Sequence, residues 1–281
     1  MEDCTLVSIL IRTCNRPDIL KKALYSVKNQ TYKNIEVIVV EDGQNISEGV
    51  IKEEFSDLNI KYVSTKQRVG RSKAGNIALA LSKGKYINFL DDDDELLPQH
   101  IEILLKSFLE SERYGAIYSI ATEYQIKVVS RYPYKFKIKR KLIRYNEEYH
   151  KLTLFHHNYI PIQSIMFLRE LYENYGGFDE KLNTLEDWDL WIRYSLYTNF
   201  MFVPINTSIY YTPYKNGEKR KRDQLLYLDK KKLLSKLKRY QVNIDVAELN
   251  SDLDYIYNQR DKKNLYYWIK KIFIFIMYKD V

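Results

Sequence analysis

The sequence has few of the residues that build cross-linked, loop-rich or repetitive proteins. Its 281 residues include 9 glycines, 6 prolines and 2 cysteines. So little glycine and proline excludes collagen-like and low-complexity structure. Two cysteines, Cys4 and Cys14, are too few for a disulfide scaffold or a four-cysteine zinc site, and they predict reduced thiols in a cytoplasmic protein. What the chain does contain, 45% hydrophobic and 29% charged residues, predicts a soluble globular protein with a sizeable core.

Targeting and membrane-spanning signals are lacking as well. The chain begins Met1-Glu2-Asp3, acidic where a secretory leader is basic, and no small-residue cleavage site follows. The uncharged stretch 194–214 is interrupted by Pro204 and Pro213. The apolar run 265–278 contains two lysines and falls short of the ~20 residues that a spanning helix needs. We therefore expect no secretory leader and no transmembrane helix.

The common nucleotide-binding loops are absent. No Gly-x-Gly occurs, so the dinucleotide-binding fingerprint is missing. Gly70 and Gly75 have the spacing of a P-loop, but Asn76 and Ile77 stand where that loop needs Lys and Ser or Thr. The sequence therefore argues against both dinucleotide-dependent enzymes and P-loop kinases or ATPases.

The charge is unevenly distributed along the chain. The formal net charge is +8, and residues 215–281 hold 17 basic against 9 acidic residues, so residues 1–214 balance to zero. This pattern predicts a chemical domain over 1–214 and a basic, largely helical extension over 215–281 that serves as an electrostatic attachment. Aromatic and aliphatic residues beside lysines in Tyr266–Tyr278 fit an anionic membrane surface better than nucleic acid. A helix packed on the body explains this segment equally well.

Apolar periodicity predicts an α/β domain. Buried strands and amphipathic helices alternate over roughly the first 110 residues, which is typical of a parallel sheet covered by helices. The predicted strands lie at 6–11, 35–40, 60–63 and 86–90, and the clearest helices begin at Pro17 and cover 71–81 and 98–112. Residues 126–143 carry a heavy basic load, and we interpret them as irregular strands and loops. From about Asp223 the pattern is helical and charged.

Carboxylates follow two of these strands. Asp42 ends the second strand, and Asp91–Asp94 end the fourth. Because ligands bind beyond the carboxyl ends of such strands, both groups are expected at one ligand-binding edge. Adjacent carboxylates repel each other, and a hard divalent cation such as Mg²⁺ or Mn²⁺ removes that cost. The alternative is a solvated acidic loop that caps the following helix.

A second acidic group lies beside tryptophans. Glu186 and Asp187 precede Trp188 and Trp191, and a carboxylate that loses solvation beside indoles has a raised pKa and becomes a better base. The alternative is that Asp187 is the N-cap of that helix. The pair His156-His157 is interpreted as ordinary surface or core histidine because no further metal ligand is suitably spaced.

Taken in order, these segments resemble family 2 glycosyltransferases of the GT-A fold. The resemblance spans about residues 5–212 and rests on six segments: Val7–Pro17, Ile35–Gly43, Gly70–Asn76, Gly84–Asp94, Gly176–Glu180 and Glu186–Trp191. It implies a mixed, Rossmann-like sheet flanked by helices, here with the helical basic C-terminal extension. It also implies an enzyme that uses a nucleotide-sugar donor.

The same resemblance implies a role for each matching residue. Asp187 would be the catalytic base, flanked by Glu186. Asp93, with Asp91, would bind the Mn²⁺ or Mg²⁺ of the Asp-x-Asp element. The donor nucleotide would be bound by Thr13, Cys14, Asn15, Arg16, Asp42, Arg71, Lys73, Asn76, Asp91 and Asp92.

Three positions depart from the family pattern. Cys14 stands where many relatives have Tyr, which predicts weaker stacking on the base. Gly75 replaces the Arg of the usual Ala-Arg-Asn, so Arg71 or Lys73 is expected to supply that charge. No His follows Tyr210-Tyr211, so a late metal ligand is missing.

The resemblance implies an inverting transferase that acts on a hydroxyl of a glycan, lipid-linked or protein-linked acceptor. By family habit it would build a bacterial cell-envelope polysaccharide in the cytoplasm, peripherally at the inner membrane face. We weigh three alternatives: a haloacid-dehalogenase-like phosphatase, which Asp94-Glu95-Leu96 argues against; an inactive GT-A scaffold; and a membrane- or nucleic-acid-binding protein that acts through its tail.

Overall fold

A computed structural model describes residues 5–111, 113–131, 133–182, 184–214, 218–238, 240 and 246–258. The first part of the chain alternates strands and helices in the predicted order. These elements are β1 (Val7–Thr13), α1 (Pro17–Lys28), β2 (Ile35–Glu41), α2 (Glu48–Glu54), β3 (Ile60–Ser64), α3 (Arg71–Leu81), β4 (Tyr86–Asp91), β5 (Glu95–Leu96) and α4 (His100–Glu110).

The second part is richer in antiparallel strands and ends in two helices. Its elements are β6 (Ala116–Arg131), β7 (Tyr134–Ile143), α5 (Lys151–His156), β8 (Ile165–Leu168), α6 (Arg169–Tyr175), α7 (Glu186–Ser195), β9 (Phe200–Pro213), α8 (Glu218–Leu237) and α9 (Val246–Asn258).

In the described part of the chain, nine strands form one sheet. Its main path runs β3-β2-β1-β4-β8-β6-β9-β5. The first four strands are parallel, as predicted, while β8 is antiparallel to both β4 and β6. β6 is parallel to β9 and antiparallel to β7. The sheet is therefore mixed, and its parallel half carries the edge on which the predicted ligand site depends.

The apolar runs of the central strands follow from burial on both faces. All seven residues of β1 are buried. Alternate side chains point to opposite faces, so Ile9 packs with α1 and α4 in one cluster while Leu10 packs with α3 and α7 in the other. Helices cover both faces of a parallel sheet, and such strands are apolar throughout rather than alternating.

Residues 126–143 were predicted as irregular strands and loops; the described residues of this range are mostly strand, so the prediction of loops is wrong. β6 and β7 form a long antiparallel hairpin, with register shifts after Gln125 and Val128. In β7 the side chains of Tyr134, Phe136 and Ile138 alternate with lysines, which is the two-residue period of a strand. The sequence pattern did not predict this strand, because its many basic residues are also typical of a loop.

The C-terminal helices pack on the body. Leu233 and Leu237 of α8 belong to the same buried cluster as Trp188 and Trp191. Asp252 of α9 bonds His150 Nδ1 at 3.0 Å. Residues 259–281 lie outside the described part, and with them the membrane-contact segment predicted at Tyr266–Tyr278. None of the helices in the described ranges is long and apolar enough to span a membrane.

Candidate active site

The carboxyl ends of β1, β2 and β4 bring the predicted carboxylates to one edge of the sheet. The parallel register pairs Arg12 of β1 with Asp91 of β4 and Thr13 with Glu41 of β2. Asp42 follows Glu41 and donates its backbone N–H to the carbonyl of Thr13 at 2.7 Å. The sequence therefore anticipated correctly that the second and fourth strands deliver acidic residues to the same edge.

Arg12 joins the two acidic groups of the site. Its Nη2 bonds Asp91 Oδ1 at 2.6 Å, and its Nη1 bonds Glu186 Oε1 at 3.0 Å. The guanidinium is only 6% exposed and lies over the rings of Phe89 and Phe178. Burial opposes ionisation of Asp91, but the positive charges of Arg12 and Arg71 lower its pKa to about 2. Asp91 is therefore ionised and fully engaged.

The next three carboxylates differ in their surroundings. Asp92 is buried and accepts hydrogen bonds from Thr13 Oγ1 at 2.7 Å and from the guanidinium of Arg16. Asp94 is also buried and accepts from the backbone N–H of Tyr211 at 3.1 Å. Asp93 is 41% exposed, with Arg16 Nη1 3.6 Å away. This segment is therefore not the solvated acidic loop of the alternative interpretation.

Asp93 is the carboxylate that best fits a divalent cation. Partial loss of solvation and the negative charge of Asp91 raise the pKa of Asp93, so negative charge is crowded around this carboxylate. A cation would remove that excess, and carboxylate oxygens are suitable ligands for Mg²⁺ or Mn²⁺. Among the described residues no group of three His, Cys, Asp or Glu side chains forms a complete metal site. Further ligands would have to come from a bound phosphate or water.

α7 presents the second acidic pair at its N-terminus. The helix begins at Glu186, and Leu185, with a left-handed φ of 61°, is its N-cap residue. The prediction of Asp187 as the N-cap is therefore wrong, because Asp187 lies one residue inside the helix. Its Oδ2 accepts from Asn158 Nδ2 at 3.0 Å, and its Oδ1 from the N–H of Trp188 at 2.8 Å.

Asp187 has the electrostatics of a base. Burial and the negative charge of Glu186 raise the pKa of Asp187 to about 6, as expected for a carboxylate beside indoles. Glu186 is buried and neutralised by Arg12. The two neighbours thus differ: Glu186 is committed to an ion pair with Arg12, while the pKa of Asp187 is raised.

The predicted donor-binding residues divide into those near the acidic groups and those that organise loops. Asp42 accepts the backbone N–H groups of Val69 at 2.6 Å and Gly70 at 3.0 Å, so it shapes the loop before α3. Asn15, with a left-handed φ of 54°, lies against Gly43, where an added Cβ would be 2.7 Å from Asn15 Oδ1.

The three predicted donor-binding residues of α3 differ in their exposure and contacts. Arg71 is half-exposed, with Nη1 3.7 Å from Glu186 Oε1, so it adds positive charge to the site. Lys73 is exposed. Asn76 brackets a loop instead: its Nδ2 donates to the carbonyl of Phe178 at 3.0 Å, and its Oδ1 accepts the N–H of that residue at 2.7 Å. Cys14 is half-buried with a free thiol.

Sequence reasoning missed three residues of this region. Arg12 gave no signal beyond being a charge at the end of an apolar strand. Asn158 lies in a stretch without motifs. Tyr134, at the start of β7, is half-buried, and its pKa is raised by burial and by the charge of Asp93.

Comparison with known proteins identifies related sequences. Residues 8–176 match the model of the family described as "Glycosyl transferase family 2". The chain is 31% identical over 207 residues to an uncharacterized glycosyltransferase, YwdF of Bacillus subtilis, covering 73% of each chain. It is 35% identical over 114 residues to WfaP of Escherichia coli, covering 41% of this chain and 45% of WfaP. WfaP is described as a UDP-Glc:α-D-GlcNAc-diphosphoundecaprenol β-1,3-glucosyltransferase.

A solved structure shares the fold. The mannosyltransferase PcManGT of Pyrobaculum calidifontis, in complex with GDP-Man and Mn²⁺, superposes with a TM-score of 0.62 at 18% identity. The alignment covers 84% of this chain and 65% of PcManGT. This likeness confirms the predicted fold class, the mixed α/β sheet of the GT-A type.

Proposed function

This chain belongs to glycosyl transferase family 2, as its sequence predicts, and we propose that it moves one sugar from a nucleotide-sugar donor to a hydroxyl group of a glycan, lipid-linked or protein-linked acceptor with inversion of the anomeric centre. One observation carries this proposal. Arg12 joins two groups in one hydrogen-bonded unit: Asp91, in the acidic segment Asp91–Asp94, and Glu186, the first residue of α7. We call α7 the base helix because it carries the proposed base, Asp187. Arg12 therefore links the residues proposed to act on the leaving diphosphate to the helix that carries the base proposed for the acceptor hydroxyl.

Asp187 has the role of general base. Inversion requires one base that removes the proton of the acceptor hydroxyl while its oxygen attacks the anomeric carbon from the side opposite the leaving group. A carboxylate with a pKa of about 6 is mostly ionised at neutral pH and still accepts a proton readily. The hydrogen bond from Asn158 fixes the orientation of this carboxylate, so its remaining lone pairs can meet the hydroxyl.

The donor side has the opposite electrostatic task. Arg16 and Arg71, with Lys73 close by in α3, supply positive charge beside the acidic segment for a nucleoside diphosphate. Asp42 orders the loop at Val69 and Gly70 on which the base would lie, together with Thr13, Cys14 and Asn15. Asp93 is the best placed ligand for Mn²⁺ or Mg²⁺, which when bound would neutralise the charge of the departing diphosphate. Asp91 is a weaker candidate because Arg12 already engages it.

Two relatives guide the choice of substrates. The name of WfaP describes a UDP-sugar donor and a lipid-diphosphate-linked acceptor, and PcManGT binds GDP-Man with Mn²⁺. They support a nucleoside-diphosphate sugar as donor, and WfaP favours a lipid-linked glycan among the acceptors. A place in bacterial cell-envelope polysaccharide synthesis, in the cytoplasm at the inner membrane face, follows as part of this proposal.

A ligand-stabilisation panel tests the donor site. UDP-, GDP-, dTDP- and CMP-linked sugars are each combined with Mn²⁺, Mg²⁺ or EDTA, and thermal unfolding is followed for the wild type, Asp93→Ala and Asp57→Ala. Asp57 is an exposed carboxylate before β3, at the opposite edge of the sheet, and serves as the matched control. A ligand at a hundredfold excess over its Kd stabilises the folded state by about 2.7 kcal/mol.

The expected result is stabilisation by one nucleotide class that requires metal, persists in Asp57→Ala and is lost in Asp93→Ala. The nucleotide so identified is then used in a transfer assay, with Asp187→Asn expected to bind donor normally and to lose turnover. Absence of stabilisation by every nucleotide in the presence of both metals would overturn the proposal of an active transferase and favour a scaffold role.

A further inference from the structure

Residues 124–144, the outer half of β6 together with β7, form a strongly positive surface that we call the basic hairpin. Its sequence carries eight basic residues and no acidic one: Lys127, Arg131, Lys135, Lys137, Lys139, Arg140, Lys141 and Arg144. Residues 1–214 balance to zero, so the rest of this body has an excess of eight acidic residues. The hairpin is therefore a localised positive surface on an otherwise acidic body.

Half of this charge has no ion pair among the described residues. Arg144 pairs with Glu123 at 2.6 Å. Within the described ranges no ion pair joins a carboxylate to Lys127, Lys135, Lys137 or Lys139, all of which are exposed. Like charges crowded on one ribbon repel each other, which costs stability unless a partner supplies negative charge.

Aliphatic side chains of the hairpin are exposed as well. Between 37% and 59% of each remains accessible for Val128, Val129, Ile138, Leu142 and Ile143. Lysines on an edge strand discourage pairing with another chain, but exposed aliphatic residues have the opposite effect. Protection of an edge strand therefore does not explain this composition.

Among the described residues of the hairpin, the ring of Phe136 is turned to the body instead. Phe136 meets Tyr211 edge to face with ring centroids 5.3 Å apart, and Lys22 Nζ lies 4.7 Å from the Phe136 ring centroid. Proteins that bind single-stranded nucleic acid combine a basic groove with accessible aromatic rings on which the bases stack. Exposed aliphatic residues among lysines instead match the boundary between anionic headgroups and acyl chains.

The position of the basic hairpin links this surface to the candidate active site. Lys22, which the hairpin covers, also pairs with Glu95 Oε1 at 2.8 Å. Glu95 directly follows the acidic segment Asp91–Asp94, and Arg16, which binds Asp92, directly precedes α1. A surface bound by the hairpin would therefore lie next to the acidic segment.

We propose that the basic hairpin binds the anionic lipid surface of a membrane and so holds the candidate active site where a lipid-linked acceptor would lie. The acceptor half of this inference rests on the proposed transferase activity, whereas the lipid-binding half does not. The basic hairpin would thus be a second membrane-binding surface, in addition to the one predicted for the C-terminal tail.

Vesicle flotation with the full-length chain tests the inference. Vesicles of phosphatidylcholine alone, or with 30 mol% phosphatidylglycerol, roughly the anionic content of a bacterial membrane, are compared at low and high salt. The hairpin variant carries Lys135→Gln, Lys137→Gln and Lys139→Gln. The matched control carries Lys33→Gln, Lys52→Gln and Lys106→Gln, which are exposed lysines on other elements. A third variant, Lys270→Gln with Lys271→Gln, probes the tail, and Asp187→Asn probes catalysis.

The wild type is expected to bind only the anionic vesicles and to be released by salt. The hairpin variant should bind about a hundredfold more weakly, because each lysine near such a surface contributes roughly fivefold. The control should lose the same charge but much less affinity. Asp187→Asn should bind like the wild type, so failure of catalysis and failure of lipid binding are scored separately.

Three results would overturn the inference: equal loss in the hairpin variant and the control, full binding by the hairpin variant with loss only in the tail variant, or binding of the wild type to single-stranded RNA but not to anionic vesicles. Thermal melts of all variants establish that the exchanged lysines leave the fold intact. Because these side chains are exposed, their replacement by Gln should not change the melting temperature by more than a degree or two.

Discussion

At the scale of single residues, Arg12 is expected to contribute strongly to the stability of the site. It compensates the buried carboxylate of Glu186 and the 17% exposed carboxylate of Asp91 through one side chain that is itself only 6% exposed. Removal of one partner from a buried ion pair leaves charge without compensation, which costs about 3–5 kcal/mol. Arg12→Met should therefore lower the free energy of unfolding at pH 7.5 by about that amount, as measured in urea. Lys28→Met breaks an exposed pair with Asp57 and should cost less than about 1 kcal/mol.

The effect of Arg12→Met should also depend on pH. The pKa of Asp91 is about 2 in the folded protein and about 3.9 in an unfolded chain. Its ionised form therefore stabilises the wild type above about pH 4, and this stabilisation is lost as the pH falls towards 2. The difference between wild type and Arg12→Met should shrink over that interval. A difference that stays constant from pH 7.5 to pH 3 would mean that Arg12 acts through packing rather than charge.

If Asp187 is the base, we expect kcat/KM to fall at acid pH, and we expect Glu186 to set the pH at which the fall begins. The base must be ionised to accept a proton, so kcat/KM should fall tenfold per pH unit below the raised pKa of about 6. Glu186→Gln removes a neighbouring negative charge, which lowers the pKa of Asp187 and moves this acid limb of the pH–rate profile to lower pH. Glu173→Gln, an exposed residue of α6, is the control and should leave the limb in place. A limb that moves upward in Glu186→Gln, or does not move, would contradict the role of Asp187.

At the scale of elements, α8 fixes the start of the base helix. Asp229 of α8 accepts hydrogen bonds from both the backbone N–H and Oγ1 of Thr184 at 2.9 Å. Lys236 of the same helix pairs with Asp189 Oδ1 at 2.7 Å, one turn into α7. Leu185, between these anchors, is held at a left-handed φ of 61°. From these contacts we infer that Asp229 positions Asp187, the proposed base, although α8 lies outside the matched residues 8–176.

Asp229→Ala should therefore lower kcat by about tenfold to a hundredfold with little change in the KM for donor, since small displacements of a catalytic group have effects of this size. Asp229→Asn keeps an acceptor oxygen and should restore most of the rate. Lys231→Ala, at an exposed residue on the same helix whose ammonium lies over the ring of Tyr227, is the control. Steady-state kinetics of the three variants decide the matter: a rise in KM without loss of kcat would show that α8 supports donor binding instead.

Sequence patterns predicted some elements far better than others. α3 begins and ends where its pattern predicts, at Arg71 and Leu81, because an apolar face repeats at helical spacing between clear boundaries. The hairpin was misread because lysines at every second position conceal a strand with one polar face. The contacts of Arg12 and Asp229 left no local trace, since their partners lie 174 and 45 residues away in the chain. Motif order located the acidic groups; only the tertiary structure showed what joins them.

At the scale of the whole molecule, the net charge of the chain changes at the proposed boundary, residue 214. Side chains from both sides of this boundary nevertheless pack in one hydrophobic cluster. Leu233 is fully buried in the cluster that contains Trp188 and Trp191, whereas its neighbour Leu234 is 39% exposed. The body and α8 should consequently unfold together, as one cooperative unit. The residues that hold the base helix would then share the stability of the entire fold.

The two leucines provide a matched test of this unity. Leu233→Ala should lower the free energy of unfolding by about 2–5 kcal/mol, the cost of a cavity in a packed core. Leu234→Ala, the same change on the same helix, should cost less than about 0.5 kcal/mol because its side chain already meets water. Urea denaturation followed by tryptophan fluorescence reports on the body, where Trp188 and Trp191 are buried. If Leu233→Ala left that transition unchanged, the body would fold without the packing of α8, and the body and α8 would not be one cooperative unit.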